Sequence, residues 1–107
     1  MTVTLEVDSG ACQIRTVIRA REEGDRIKLD IESDCPMVRR LASELKDLDP
    51  MDCIITPLSK NPVICAADDC IKHASCPVPT AIIKAAESCC GLAVKKDVKM
   101  SYSSSSM

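Results

Sequence analysis

The chain contains no tryptophan, no phenylalanine and a single tyrosine, Tyr102. Its core must therefore be packed from Ile, Val, Leu, Ala, Met and Cys, and it has no set of aromatic faces on which bases or sugars could stack. An excess of one charge is missing too: 14 basic and 16 acidic residues leave a formal net charge of -2, with the two signs interspersed. Nucleic-acid binding, which draws on a basic stripe, is not expected. The sequence has no apolar run of the roughly twenty residues needed to span a bilayer. Its first twenty residues alternate polar and apolar without the apolar stretch of a signal peptide. The expectation is a cytoplasmic protein with neither membrane nor nucleic acid among its partners.

What the chain does have is cysteine, eight in 107 residues. In a reducing compartment a small cysteine-rich domain more often holds a metal or performs redox chemistry than builds a disulfide framework. The even number leaves the framework open as an alternative. The length allows one small domain, and 46% hydrophobic residues is enough for a packed core.

Val3, Leu5 and Val7 alternate with Thr4 and Glu6, which predicts a half-buried strand ending at the turn Asp8-Ser9-Gly10. A second strand is predicted over 12–21, with Cys12, Ile14, Thr16, Ile18 and Ala20 on one face. A third is predicted over 26–33, with Ile27, Leu29 and Ile31 inward. Helical spacing of Met37, Val38, Leu41, Ala42, Leu45 and Leu48 predicts a helix from Pro36 to about Asp47. Residues 49–62, with three prolines, read as a loop around Cys53-Ile54-Ile55, and 63–72 as a short helix. A last helix runs from Pro77 to a stop at Gly91. Val98, Met100 and Tyr102 alternate with Lys99 and Ser101, which predicts a final strand before a disordered tail at 103–107. The order β-β-β-α-α-α-β defines an α+β fold over 1–102. It has a three- to four-stranded, mainly antiparallel sheet with helices packed on one face.

The chemistry gathers at element ends. Cys12 begins the second strand, while Cys35 and Cys76 each stand immediately before a proline that opens a helix. A turn at Glu23-Gly24 would set Cys12 opposite Cys35, and one at Gly24-Asp25 would set it opposite Met37. Either brings Cys12 within about 7 Å of Cys35. Helix N-termini favour the thiolate, the form that binds metal. Zinc and [2Fe-2S] clusters each take four protein ligands, mostly cysteine and histidine. Cys12, Cys35 and Cys76 supply three of these, and His73, the only histidine, stands three residues before Cys76 as the fourth. Cys70 is the alternative fourth ligand. Cys53 and Cys89 read as core, and one of the adjacent pair Cys89-Cys90 is expected to point outward as a reactive thiol.

Gly10-Ala11-Cys12, Asp34-Cys35 and His73-Ala74-Ser75-Cys76 resemble, in order and spacing over roughly 1–90, the iron-sulfur cluster scaffold proteins of the IscU and NifU amino-terminal type. The resemblance implies that these cysteines and His73 hold an iron-sulfur cluster or zinc, with iron-sulfur assembly or acceptor proteins as partners. The chain departs from that pattern in carrying Gln13-Ile14 after Cys12 and in lacking the proline-rich chaperone motif, which favours static binding or storage over transfer. Glu32-Ser33-Asp34-Cys35-Pro36 and His73-Ala74-Ser75-Cys76-Pro77-Val78-Pro79 also resemble a small family of anaerobic microbes, a resemblance that implies no activity.

The leading expectation is thus a metal-binding protein in which catalysis is not required and no catalytic residue is assigned. A second reading makes Cys35 or Cys76 a redox nucleophile resolved by Cys12, although no Cys-x-x-Cys motif is present. A third is a plain folded module with cysteines in its core. A homo-oligomer, with a ligand contributed by a second chain, would complete a partial donor set.

Overall fold

The protein is described over residues 1–104 by a computed structural model. The period-two alternation produces three antiparallel strands: β1 (Thr2–Asp8), β2 (Arg15–Glu23) and β3 (Arg26–Ser33). Their register gathers the apolar residues on one face, with Val17, paired with Glu6 and Glu32, the exception. Val3 pairs with Ala20, Leu5 with Ile18 and Val7 with Thr16, and β2 in turn sets Ile18 beside Ile31 and Thr16 beside Ser33. Glu23 pairs with Arg26, so the turn is Gly24-Asp25, with Gly24 at a φ of 63° where a side chain would be strained. This is the register that, continued, sets Cys12 opposite Met37. A two-residue strand, β4 (Asp47–Leu48), completes the order β1-β2-β3-β4.

On the apolar face Ile18, Ala20 and Ile27 are fully buried. The other face is wet and carries ion pairs such as Arg15 to Glu6 at 3.0 Å and Arg19 to Glu32 at 3.1 Å. Exposed pairs of this kind contribute about 0–1 kcal/mol each, so the buried face carries the stability.

Two of the four helices lie against that face and the other two pack on them. Helix α1 (Pro36–Glu44) opens on a proline whose missing N–H costs nothing at the first helical position, and it buries Val38 and Leu41 beside β3. Helix α2 (Pro50–Ile55) is capped by the Asp49 carboxylate, which accepts from the Met51 amide at 3.0 Å. Helix α3 (Pro62–Cys70) is capped by buried Asn61, which accepts from the Val63 amide at 2.9 Å and donates to the Cys53 carbonyl at 3.0 Å, joining α2 to α3. Helix α4 (Val78–Cys89) lays Val78, Ile82, Ala85, Ala86 and Cys89 across β1 and β2 and stops at Gly91, whose φ is 76°. Among the described residues no helix is long and apolar enough to cross a membrane.

The architecture is the expected α+β sheet with helices on one face, but α1 stops at Glu44 and not near Asp47, Leu48 belongs to β4 and not to its stripe, and three further elements differ. Residues 98–102 form no strand: the segment is exposed and the sheet's fourth strand is β4 instead. Alternation makes a segment amphipathic, yet a strand also needs an edge to pair with. Residues 50–55, read as loop, form α2 because Asp49 and Pro50 supply both a cap and a first-turn proline. Cys12 lies not in β2 but in a 3-10 turn at Gly10–Cys12, and β2 begins only at Arg15. Of the expected tail at 103–107, residues 105–107 lie outside the described residues.

Candidate metal centre

The connection from β1 to β2 has a defined conformation. The Asp8 carboxylate accepts from the Gly10 amide at 3.0 Å, Gly10 takes a φ of 75°, and Gln13 closes the turn at a φ of 59°. A non-glycine residue in that region is uncommon and here lifts Cys12 out of the strand. Cys12 is consequently exposed, not packed on the apolar face as its parity predicts.

Cys35 is the N-cap residue of α1 and is half-buried. It is held by a clip that the sequence reading missed. The Ser33 hydroxyl accepts from the Thr16 hydroxyl at 2.9 Å and from the Cys35 amide at 3.2 Å, and it donates to the Arg15 carbonyl at 3.5 Å. The start of β2, the end of β3 and the start of α1 are thus tied at one atom. A threonine on an otherwise apolar strand face was the available signal. The Arg39 guanidinium adds a bond to the Ser33 carbonyl at 2.8 Å.

Cys76 and His73 share one turn, closed by the Cys76 amide donating to the His73 carbonyl at 3.0 Å. That turn is moored to α1 by the Lys72 amide, which lies 3.4 Å from the Met37 sulfur. Burial pushes the Cys76 thiol's pKa up, the Val78 amide N–H opposes this, and the neighbouring thiols of Cys35 and Cys12 push it up further. Cys35 and Cys12 are therefore each within electrostatic reach of the Cys76 sulfur.

These residues line one cavity of about 210 Å³, whose walls include Cys12, Cys35, Cys76 and His73 with Met37 and Thr16. Four donors from three separate stretches of chain thus reach a single hollow. Among the described residues, however, no group of three or more His, Cys, Asp or Glu side chains is already arranged to hold a metal ion. The hollow presents donors on its wall, not a closed coordination shell. Exchange between staggered χ1 wells moves a cysteine sulfur by about 3 Å without moving the backbone. Chemically the set fits a thiophilic centre: three thiols and an imidazole match the ligands of zinc and of iron-sulfur clusters.

The remaining cysteines stand elsewhere. Cys70 is buried and donates to the Glu44 carboxylate at 2.7 Å; burial and that carboxylate both favour its protonated form, and it is not on the cavity wall. Cys53 and Cys89 are core residues, and burial pushes Cys53 to about 11. Cys90 is not an outward thiol: it is half-buried, donates to the Ala86 carbonyl at 3.1 Å and has a raised pKa from burial. Cys65, 3.5 Å from the Ser59 carbonyl, is exposed and distant from this chemistry.

Residues 3–102 match a family model described as a family of unknown function (DUF6951). No curated protein and no solved structure matches the chain.

Proposed function

We propose that this protein, which belongs to the family of unknown function DUF6951, binds a thiophilic metal centre, zinc or an iron-sulfur cluster. Cys12, Cys35 and Cys76 act as thiolate ligands and His73 completes the set. The observation that carries the reading is the cavity itself, in which the chain's only imidazole and three of its eight thiols meet. Each residue has a distinct part. Cys35 is fixed by the Ser33 clip, Cys76 is steadied by its amide bond to the His73 carbonyl, and Cys12 and His73, the two exposed donors, close over the centre. Such a centre relieves the repulsion that opposes ionising neighbouring thiols, and its binding releases protons. The role is static binding or storage, with iron-sulfur assembly or acceptor proteins as the partners of a transferring form.

Of the two thiols that the redox reading names as nucleophile, burial raises the pKa of Cys76, which weakens that candidate. Elemental analysis of protein purified without oxygen tests the proposal: about one centre per chain is expected, lost on Cys35→Ser, with visible absorbance distinguishing iron-sulfur from zinc. Stoichiometric metal retained by the Cys12, Cys35 and Cys76 serine variants would refute it.

A further inference from the structure

The outer edge of β1 is seven residues long and unpaired among the described residues, since the sheet order places only β2 beside it. The Glu22 amide donates to the Met1 carbonyl at 3.3 Å and the Ser9 amide to the Ile14 carbonyl at 3.4 Å, so odd-numbered positions direct their main chain toward β2. Thr2, Thr4, Glu6 and Asp8 therefore direct theirs outward. Exposed edges are normally blunted by lysine, proline or a bulge. β1 contains no lysine, arginine or proline, and its register with β2 runs unbroken from Thr2 to Asp8.

A segment suited to that edge lies elsewhere in the chain. After Gly91 the chain is exposed through Tyr102, and Val94, Val98 and Met100 are 83%, 58% and 85% exposed. Val98, Met100 and Tyr102 share one parity and Lys99 and Ser101 the other, the pattern of a strand with one apolar face, and it holds over 98–102 only, since Lys96 falls on the apolar parity and Asp97 on that of Lys99. The molecule measures 49 × 29 × 25 Å, one axis far longer than the other two. This alternation is therefore unused within the single chain.

We propose that residues 98–102 of one copy add as a fifth strand to the β1 edge of a second copy, giving a reciprocal two-fold dimer. Matching the apolar rows places Val98 and Met100 on the face of Val3, Leu5 and Val7. It places Lys99 on the face of Asp8 and of Glu6, which also pairs with Arg15 at 3.0 Å, so a lysine is added beside two carboxylates. Pairing β1 with its own symmetry mate would instead set acidic side chains against acidic ones. A second copy is favoured over the chain's own edge by direction. Cys90, at the root of the tail, lies within electrostatic reach of Glu22, at the Met1 end of β1. The chain's own tail stays off this edge, exposed and outside the sheet, whereas a partner's tail can pair antiparallel, the more stable arrangement. Two-fold exchange satisfies both edges at once.

Sedimentation equilibrium of the reduced full chain, from micromolar to millimolar concentration, tests this. The wild type should approach twice 11.6 kDa. Glu6→Lys and Lys99→Glu should each weaken the dimer roughly tenfold, because each change acts twice in a symmetric pair, and combining them should restore most of the loss. Met100→Asp, on an exposed residue that the folded core does not use, should weaken it at least as much. A wild type that stays monomeric at millimolar concentration, or a dimer indifferent to Lys99→Glu and Met100→Asp, would overturn the proposal.

Discussion

Removing the Ser33 hydroxyl tests whether the clip at the end of β3 holds Cys35 in place. In the wild type that oxygen accepts from Thr16, a residue only 1% exposed, and from the half-buried Cys35 amide. Ser33→Ala orphans the Thr16 hydroxyl, at about 1–3 kcal/mol for an unpaired buried donor. Thr16→Val removes the donor instead and leaves Ser33 its bonds to Arg15 and Cys35, at about 1 kcal/mol. With both changes no buried hydroxyl is stranded, so the double variant should cost about 1 kcal/mol less than the sum of the singles. Urea unfolding under reductant with linear extrapolation measures all three, and each kcal/mol corresponds to about 4–8 °C in Tm for a domain of this size. Costs that add within about 0.5 kcal/mol would refute the clip, since independent sites behave that way.

Asn61 serves two helices, so Asn61→Ala should cost about 2–3 kcal/mol, combining a lost N-cap with an unpaired Cys53 carbonyl; a loss under about 1 kcal/mol in the same assay would contradict the bond to α2. Alkylation followed by mass spectrometry at neutral pH in metal-free protein should mark Cys12 and Cys65 first, while Cys53, Cys70 and Cys89 react only on unfolding; early labelling of Cys53, whose pKa is about 11, would contradict the packing. The Asp47 carboxyl is held below its ordinary pKa by hydrogen bonds from Arg26 and then Lys28. Its stabilising effect is therefore complete above the usual carboxylate range and lost as pH falls through the lowered value. Asp47→Asn should flatten the acid limb of stability below about pH 4, and unchanged acid limbs in variant and wild type would show that the contact does not contribute.

The sheet was legible because one face is buried and one wet, which prints a period-two pattern on Val3 to Val7 and on Arg26 to Ser33. Matching the faces narrowed the turn to Glu23-Gly24 or Gly24-Asp25, and the pairing of Glu23 with Arg26 selects the second. Cys12 escaped because parity does not report where a strand begins: Gly10 and Gln13, both at positive φ, end the pattern before Arg15. β4 is two residues long, below any periodicity, and α2 announced itself only by its cap. The meeting of Cys12, Cys35, Cys76 and His73 was legible as topology, since two helix starts and a hairpin mouth share one end of the sheet. The clip that positions Cys35 was not, because a serine before a turn carries no pattern. Nor could spacing separate Cys70 from the site, a matter decided by Glu44 on a different helix.

X-ray absorption at the metal edge of protein loaded without oxygen bears most directly on the claim that three thiolates and one imidazole form the centre. The account predicts metal-to-sulfur scattering near about 2.3 Å from three cysteines, with one imidazole nitrogen near about 2.0 Å if the metal is zinc. His73→Ala should remove the imidazole signal while leaving the sulfur shell. A shell made only of oxygen and nitrogen, or a sulfur shell unchanged when Cys12, Cys35 and Cys76 are all replaced by serine, would contradict it.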